Sequence, residues 1–141
     1  MGRPYYLGIF EGHADPAVAI VSDGEIVAFS EEERHTRNKH AWGVYPIRAL
    51  KYCLDAAGIT LSEVTAVGLN WNTNAYTDGR MQAFYDQLNS RYPVADATKS
   101  WQRSLVGRFN RDNTERRHHF EWRRAFGDIK FPPIVSAPPR T

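Results

Sequence analysis

Two groupings of side chains near the start of the chain have the residue types and spacing to do chemistry. The first is GIFEGHADPA, Gly8 to Ala17. Gly8 and Gly12 allow the backbone to come close to a ligand and to point N–H groups at anionic oxygens, while His13 is placed to give a hydrogen bond or a proton. The second is SEEERHTRNKH, Ser30 to His40, a run without one apolar side chain. Two readings of this run compete. On a solvated helix, Glu31/His35, Glu33/Arg37 and His35/Lys39 would pair four residues apart and add modest surface stability. In a ligand site, Arg34, Arg37 and Lys39 would face a phosphate and Glu31, Glu32 and Glu33 would fix their geometry. The run leaves the end of a buried strand, and ligands of open α/β sheets gather at strand ends. Spacing alone leaves both readings open.

A third grouping, RRHHFEWRR from Arg116 to Arg124, is read as an exposed amphipathic helix. His118 and His119 are adjacent and lack the four-residue spacing of a helical metal pair, so no metal site is expected there. Phe120 and Trp122 alternate with arginines in a helical pattern, whereas single-strand binders set their aromatics on a sheet or groove.

The elements that must position these groups follow from turn and periodicity signals. Tyr5 to Phe10 reads as a strand. AVAIVSDGEIVAF, Ala17 to Phe29, reads as a hairpin turning at Asp23-Gly24, and its two strands are apolar on both faces, which predicts a sheet covered on each side. Pro46 opens a helix in which Ile47, Leu50, Leu54 and Ala57 recur at helical spacing, and Gly58 stops it. Val64 to Trp71 reads as a further strand. Helices are expected near Met81 to Ser90, Ser100 to Phe109 and Thr114 to Phe126, with a short strand over Lys130 to Val135. Three strands, a helix and another strand make an α/β fold that differs from a Rossmann unit, where a helix follows the first strand.

The length of 141 residues suits one compact domain or part of one, and 42% hydrophobic with 13% aromatic residues is ordinary for a folded chain. The single cysteine, Cys53, rules out an internal disulfide and fits a reduced, cytoplasmic thiol. No run is long enough to span a bilayer, and no signal peptide is evident. Residues 1–70 hold six basic against nine acidic side chains, and residues 71–141 hold twelve against seven. A solvated arginine-rich helix face accounts for the basic half more simply than nucleic acid does.

Taken together, GIFEGHADPAVAIVSDGEIVAFSEEERHTRNKHAWGVYPIRALKYCLDAAGITLSEV resembles the N-terminal part of the carbamoyltransferase family that includes nodulation-factor and antibiotic O-carbamoyltransferases. The likeness is dense from Gly8 to Val64 and fades after Trp71. It implies the N-terminal part of an actin-like ATPase (ribonuclease H-like) fold, with a three-stranded antiparallel start followed by a helix and further strands. It also implies an enzyme that uses ATP and carbamoyl phosphate, through a carbamoyl-adenylate, to carbamoylate an acceptor hydroxyl. Carried over by position, His13 and Lys39 would be catalytic, and Gly12, Arg34, Arg37 and His40 would bind substrate. The family's turn histidine is usually followed by Asp, but here Ala14 separates His13 from Asp15.

Family members continue past a "PPI" strand into a histidine segment that supplies metal ligands. After Pro132-Pro133-Ile134 this sequence runs VSAPPRT instead. A divalent metal or iron is therefore expected only in a complete enzyme, with its ligands outside this chain. The expected organisation is a carbamoyltransferase-like portion over 1–135 and an irregular tail over 136–141, with a companion chain carrying the rest and no nucleic-acid or membrane partner. The alternatives are a non-catalytic module that binds phosphate or another small ligand and, less favoured, a basic nucleic-acid-binding protein.

Overall fold

The structure, a computed structural model, describes residues 2–135, so the expected tail over 136–141 lies outside the described residues. The elements run β1 (Tyr6–Phe10), β2 (Ala17–Ser22), β3 (Glu25–Glu31), α1 (Glu33–Thr36), α2 (Ile47–Ala57), β4 (Ala66–Leu69), α3 (Thr73–Thr77), α4 (Arg80–Arg91), α5 (Asp96–Arg108), α6 (Arg111–Phe126) and β5 (Ile134–Val135). Of the described residues, those up to Asn70 and from His119 onward form one compact unit, and Trp71–His118 form the other.

The first unit is built on a five-stranded sheet of order β3-β2-β1-β4-β5. Strands β1, β2 and β3 are antiparallel neighbours, while β4 pairs parallel to β1 and β5 parallel to β4. The hairpin turns where the sequence predicts. Asp23 and Gly24 have φ of 51° and 77°, the two left-handed residues of a turn whose twist suits an antiparallel pair. Helix α2 is bracketed as expected, with Pro46 at its N-cap and Gly58 left-handed at its C-cap, where the Gly58 N–H reaches the carbonyls of Asp55 and Leu54.

Helix α2 covers one sheet face. Leu7 and Ile9 of β1, Val18 and Ile20 of β2 and Ala28 of β3 are buried in one core with Ala49, Leu50, Cys53 and Leu54 of the helix. Each large apolar side chain buried there stabilises the fold by about 1.5–3 kcal/mol. The other face departs from the predicted sheet with two covers. Tyr6, Phe10 and Phe29 are exposed on it. Apolar residues on both faces of a strand therefore overstate how much of this sheet the described residues enclose.

Further differences concern the later elements. Strand β4 is four residues long and is preceded by a 3-10 turn over Leu61–Glu63, and the predicted strand over 130–135 is reduced to Ile134–Val135. Arg116 to Arg124 lies in α6, but it is not simply an exposed helix. His118 and Trp122 are fully buried there, and the Trp122 indole N–H donates to the Tyr45 hydroxyl at 2.9 Å. Among the described residues no helix is long and apolar enough to cross a membrane.

The second unit is helical. Trp71 stacks on Phe109 at 4.2 Å between ring centroids, Tyr76 meets Phe109 at 5.7 Å, and the Arg108 and Arg117 guanidiniums lie over the Phe109 ring. Asn89 of α4 and Gln102 of α5 exchange two amide hydrogen bonds of 2.7 and 3.2 Å.

Candidate functional site

The two sequence groupings meet at one end of the sheet. Register pairs Phe10 with Ala17 and Ala17 with Glu31, so the turn after β1 and the charged run after β3 leave the sheet side by side. This is also the carboxyl end of the parallel pair β1 and β4, where an α/β sheet offers its strand ends to ligands. Gly12 makes the turn at φ 87°, a conformation that a side chain at this position would strain. Asn70, just past β4, fixes the turn's first residue by accepting from the Glu11 N–H at 3.2 Å and donating to its carbonyl at 3.3 Å.

Backbone hydrogen bonds then zip the two segments together. The Glu32 N–H reaches Pro16 O at 2.9 Å, the Asp15 N–H reaches His40 O at 2.7 Å, and the Gly43 N–H reaches His13 O at 3.5 Å. Neither sequence reading of the charged run describes it fully. One helical turn, Glu33–Thr36, ends at Arg37 in a left-handed conformation with φ 60°, and a 3-10 turn over Lys39–Ala41 follows.

The three cations converge. Arg34, Arg37 and Lys39 line, with Glu33, an open cavity of about 410 Å³. Arg34 also lies 3.9 Å from Glu31 across one turn, and its side chain is mostly exposed. Three exposed cations on one rim make a ready receptor for a phosphate or a carboxylate, because charge-assisted hydrogen bonds to such groups are about twice as strong as neutral ones.

Glu32 supports this rim from beneath. It is fully buried, and its carboxylate accepts from the Ala49 N–H at 2.8 Å and from the Arg48 N–H at 3.4 Å, with the Arg48 guanidinium at 3.5 Å. These are orphan donors of the first turn of α2, so the carboxylate caps that helix through space. The sequence holds a signal for it. Along β3, Ala28 and Ser30 alternate on the buried face, and Glu32 is the next position of that period.

The histidines divide. The His13 ring is exposed and tilts against Trp42 at 5.2 Å between centroids, and Trp42 is itself 62% exposed. His40 instead faces Asp15, with its Nδ1 2.9 Å from Asp15 Oδ1, while its backbone N–H donates to Glu33 Oε2 at 2.7 Å. The Asp that follows the turn histidine one residue late is thus directed to His40. His35 is held by the Ser30 hydroxyl at 2.7 Å. Gly12 and His13 belong to the neighbouring turn and are not part of the cavity's lining.

Asp15, Glu33 and His40 present ligand atoms within 4.8 Å of one another, a trio that sequence spacing does not reveal. The hydrogen bonds among them account for that closeness. His118 is fully buried, and the His119 ring stacks on Phe131 at 5.0 Å.

Comparison with known proteins places these segments. A family profile described as "Carbamoyltransferase N-terminus" matches residues 6–111. An uncharacterized protein of Synechocystis is 48% identical over 60 residues, 43% of this chain and 10% of its own length. An uncharacterized 19.2 kDa protein of Rhizobium etli is 37% identical over 92 residues, 65% of this chain and 52% of its own. The nodulation protein NolNO of Sinorhizobium fredii is 35% identical over 68 residues, 48% of this chain and 10% of its own. The chain therefore spans between a tenth and about half of these relatives' lengths. Among solved structures, YeaZ from Pseudomonas aeruginosa superposes with a TM-score of 0.34 at 20% identity, covering 47% of this chain and 29% of that one. With the family profile matching well over half of its residues, the chain belongs to the carbamoyltransferase N-terminus family.

Proposed function

We propose that this chain supplies the carbamoyl phosphate-binding portion of an ATP-dependent O-carbamoyltransferase. The observation that carries the reading is the meeting of Arg34, Arg37 and Lys39 on one cavity within the family-matched segment. In this reading Lys39 holds the phosphate and meets the charge that builds on it as the carbamoyl group departs. Arg34 and Arg37 fix the phosphate's orientation, and the Gly12 turn brings its backbone to the substrate. His13 donates a hydrogen bond to the carbamoyl oxygen, where such a donor stabilises the tetrahedral species. Activation with ATP to a carbamoyl-adenylate and any divalent metal or iron would be served by a companion chain, whose sequence corresponds to what the longer relatives carry beyond the matched segment. The fold of the whole would be actin-like, and the assembly cytoplasmic.

Calorimetry with the full chain at one ionic strength tests the binding half. Carbamoyl phosphate should bind, and Lys39→Ala should weaken it by about ten- to a hundredfold, the loss of a charge-assisted hydrogen bond. Melting should shift by less than about 0.5 kcal/mol, as for an exposed residue. Equal affinities in the two proteins would return the charged run to a solvated surface. Transfer is tested by joining this chain to the remainder of the Sinorhizobium relative and following labelled carbamoyl phosphate into a hydroxylated acceptor. A second reading, a non-catalytic phosphate-binding module, has one observation in its favour: the Rhizobium etli relative is itself only 19.2 kDa. Binding that persists without transfer in the joined protein would favour it.

A further inference from the structure

The strongest unassigned arrangement is the contact between Asp15 and His40. Three hydrogen bonds fix one histidine from two segments. Asp15 Oδ1 meets Nδ1 of its ring at 2.9 Å, the Asp15 N–H meets its carbonyl at 2.7 Å, and Glu33 Oε2 takes its N–H at 2.7 Å. Asp15 and His40 both adopt left-handed backbone conformations, with φ of 60° and 65°, which Asp and His enter more readily than most residues other than glycine. Both side chains are about half exposed, at 48% for His40 and 53% for Asp15, yet the backbone bonds beside the pair fix it more closely than two mobile side chains would. A carboxylate on Nδ1 holds the proton there and leaves Nε2 as a free acceptor, the arrangement by which an imidazole is oriented as a general base. His40 follows Lys39 directly and its backbone N–H is held by Glu33, a residue of the cavity's lining, while the His40 ring itself is not part of that lining.

We propose that His40, oriented by Asp15, is the proton acceptor of the carbamoyl-transfer step, an assignment that rests on the carbamoyltransferase reading above. The acceptor's O–H bond breaks as its proton passes to His40 Nε2. The freed oxygen forms a bond to the carbamoyl carbon of the carbamoyl-adenylate, and the bond from that carbon to the AMP phosphate oxygen breaks. Its electron pair leaves with AMP on the phosphate oxygen, an anion whose charge Lys39, Arg34 and Arg37 are placed to meet. His40 is then a catalytic residue, Asp15 is a positioning residue, and His13 keeps the separate task of holding the carbamoyl oxygen.

The test uses the full chain, alone for spectroscopy and joined to the relative's remainder for turnover. In the chain alone, nitrogen NMR of labelled imidazole should show His40 protonated at Nδ1 and bare at Nε2, and Asp15→Asn should abolish that preference. Asn tolerates the left-handed conformation, so this variant keeps the backbone. In the joined protein, His40→Gly, which is also at ease at φ 65°, should lower kcat at least about 100-fold with KM for carbamoyl phosphate unchanged. Added imidazole should restore part of the rate, and Asp15→Glu should retain more than Asp15→Asn. A His40→Gly protein with wild-type kcat overturns the assignment while leaving the carbamoyltransferase reading intact. So does a loss that imidazole does not relieve and that appears in KM, or a His40 protonated at Nε2. A wild-type joined protein that transfers nothing overturns the reading itself, and the catalytic role with it.

Discussion

Glu32 and Gln102 are both buried polar side chains, one beneath the charged run of the sheet unit and the other between two helices of the second unit, and they are held in different ways. Glu32 is a full charge with donors at 2.8, 3.4 and 3.5 Å, two of them backbone N–H groups of a helix start. Gln102 is neutral and satisfied by one side chain, Asn89, in a reciprocal pair. The surroundings differ in the same sense. The sheet unit's core cluster joins β1 to β4, α2 and Trp122, whereas α4 buries no side chain at all. In the first unit, polar groups are fixed by rigid backbone and can hold a geometry. In the second, helices associate through an aromatic cluster and a polar pair, an arrangement that tolerates more change. A site that must keep three cations in place belongs in the first kind of surroundings.

The largest effect expected on that contrast is from Trp122→Ala. The side chain is fully buried in the sheet unit's core and also donates to Tyr45, so its removal leaves a cavity and takes away that hydrogen bond. A loss of about 3–5 kcal/mol is expected, read as a fall in the urea midpoint. Trp122→Phe should recover most of it, because the cavity is then largely filled. A loss below about 1 kcal/mol would mean that the core depends on α6 far less than the packing says.

Next comes the pair that defines the comparison. Glu32→Ala should cost about 1.5–3 kcal/mol, the range for hydrogen bonds to a charged group, and Gln102→Ala about 0.5–1.5 kcal/mol, the range for a neutral pair. The distinguishing measurement is ligand affinity. Glu32→Ala should weaken carbamoyl phosphate binding as well, since the segment that carries Arg34, Arg37 and Lys39 loses its anchor, and Gln102→Ala should leave it unchanged. Equal effects of the two on affinity would dissolve the contrast.

How much of this was legible in the sequence follows the same division. Asp23-Gly24 and the Pro46 to Gly58 bracket act through local backbone preference, so the hairpin and α2 were readable within a residue or two. The charged run was recognisable as a group, yet its shape was not, because one helical turn ending at a left-handed Arg37 satisfies neither a helix pattern nor a loop pattern. The Asp15–His40 contact was hidden for a related reason. It spans 25 positions and depends on two residues that spacing arguments assume to be right-handed. Glu32 could have been found by following the alternation of β3 one position beyond its apolar part. The burial of His118 and Trp122 could not, because arginines crowd both sides of them and the tertiary neighbours, not the local pattern, decide which helix face is covered.

The effect confined to high pH places one titrating group in each unit. In the sheet unit, burial pushes the Cys53 thiol up from 9.0 to about 11, with Sγ lying 3.6 Å from Val18 O. In the helical unit, burial and then the neighbouring Tyr85 raise the Tyr76 phenol above its ordinary 10.0. Both groups are neutral when protonated, and the fold favours that neutral form. As pH rises past a group's ordinary value, the unfolded chain releases the proton first and binds fewer protons than the folded one, so stability falls with pH. For Cys53 the fall should begin near pH 9 and continue to about 11, and for Tyr76 it should begin near pH 10. Below those values both states stay protonated and neither group contributes any slope. Urea midpoints measured across this range should therefore decline, with Cys53→Ala removing the part that starts lower and Tyr76→Phe the part that starts higher. At pH 8 the buried thiol should also react with a disulfide reagent far more slowly than a thiol in an unfolded peptide, because reaction needs the thiolate and access to it. Rapid labelling under native conditions would show that α2 opens readily, and the sheet unit would then lose its claim to be the more rigid of the two.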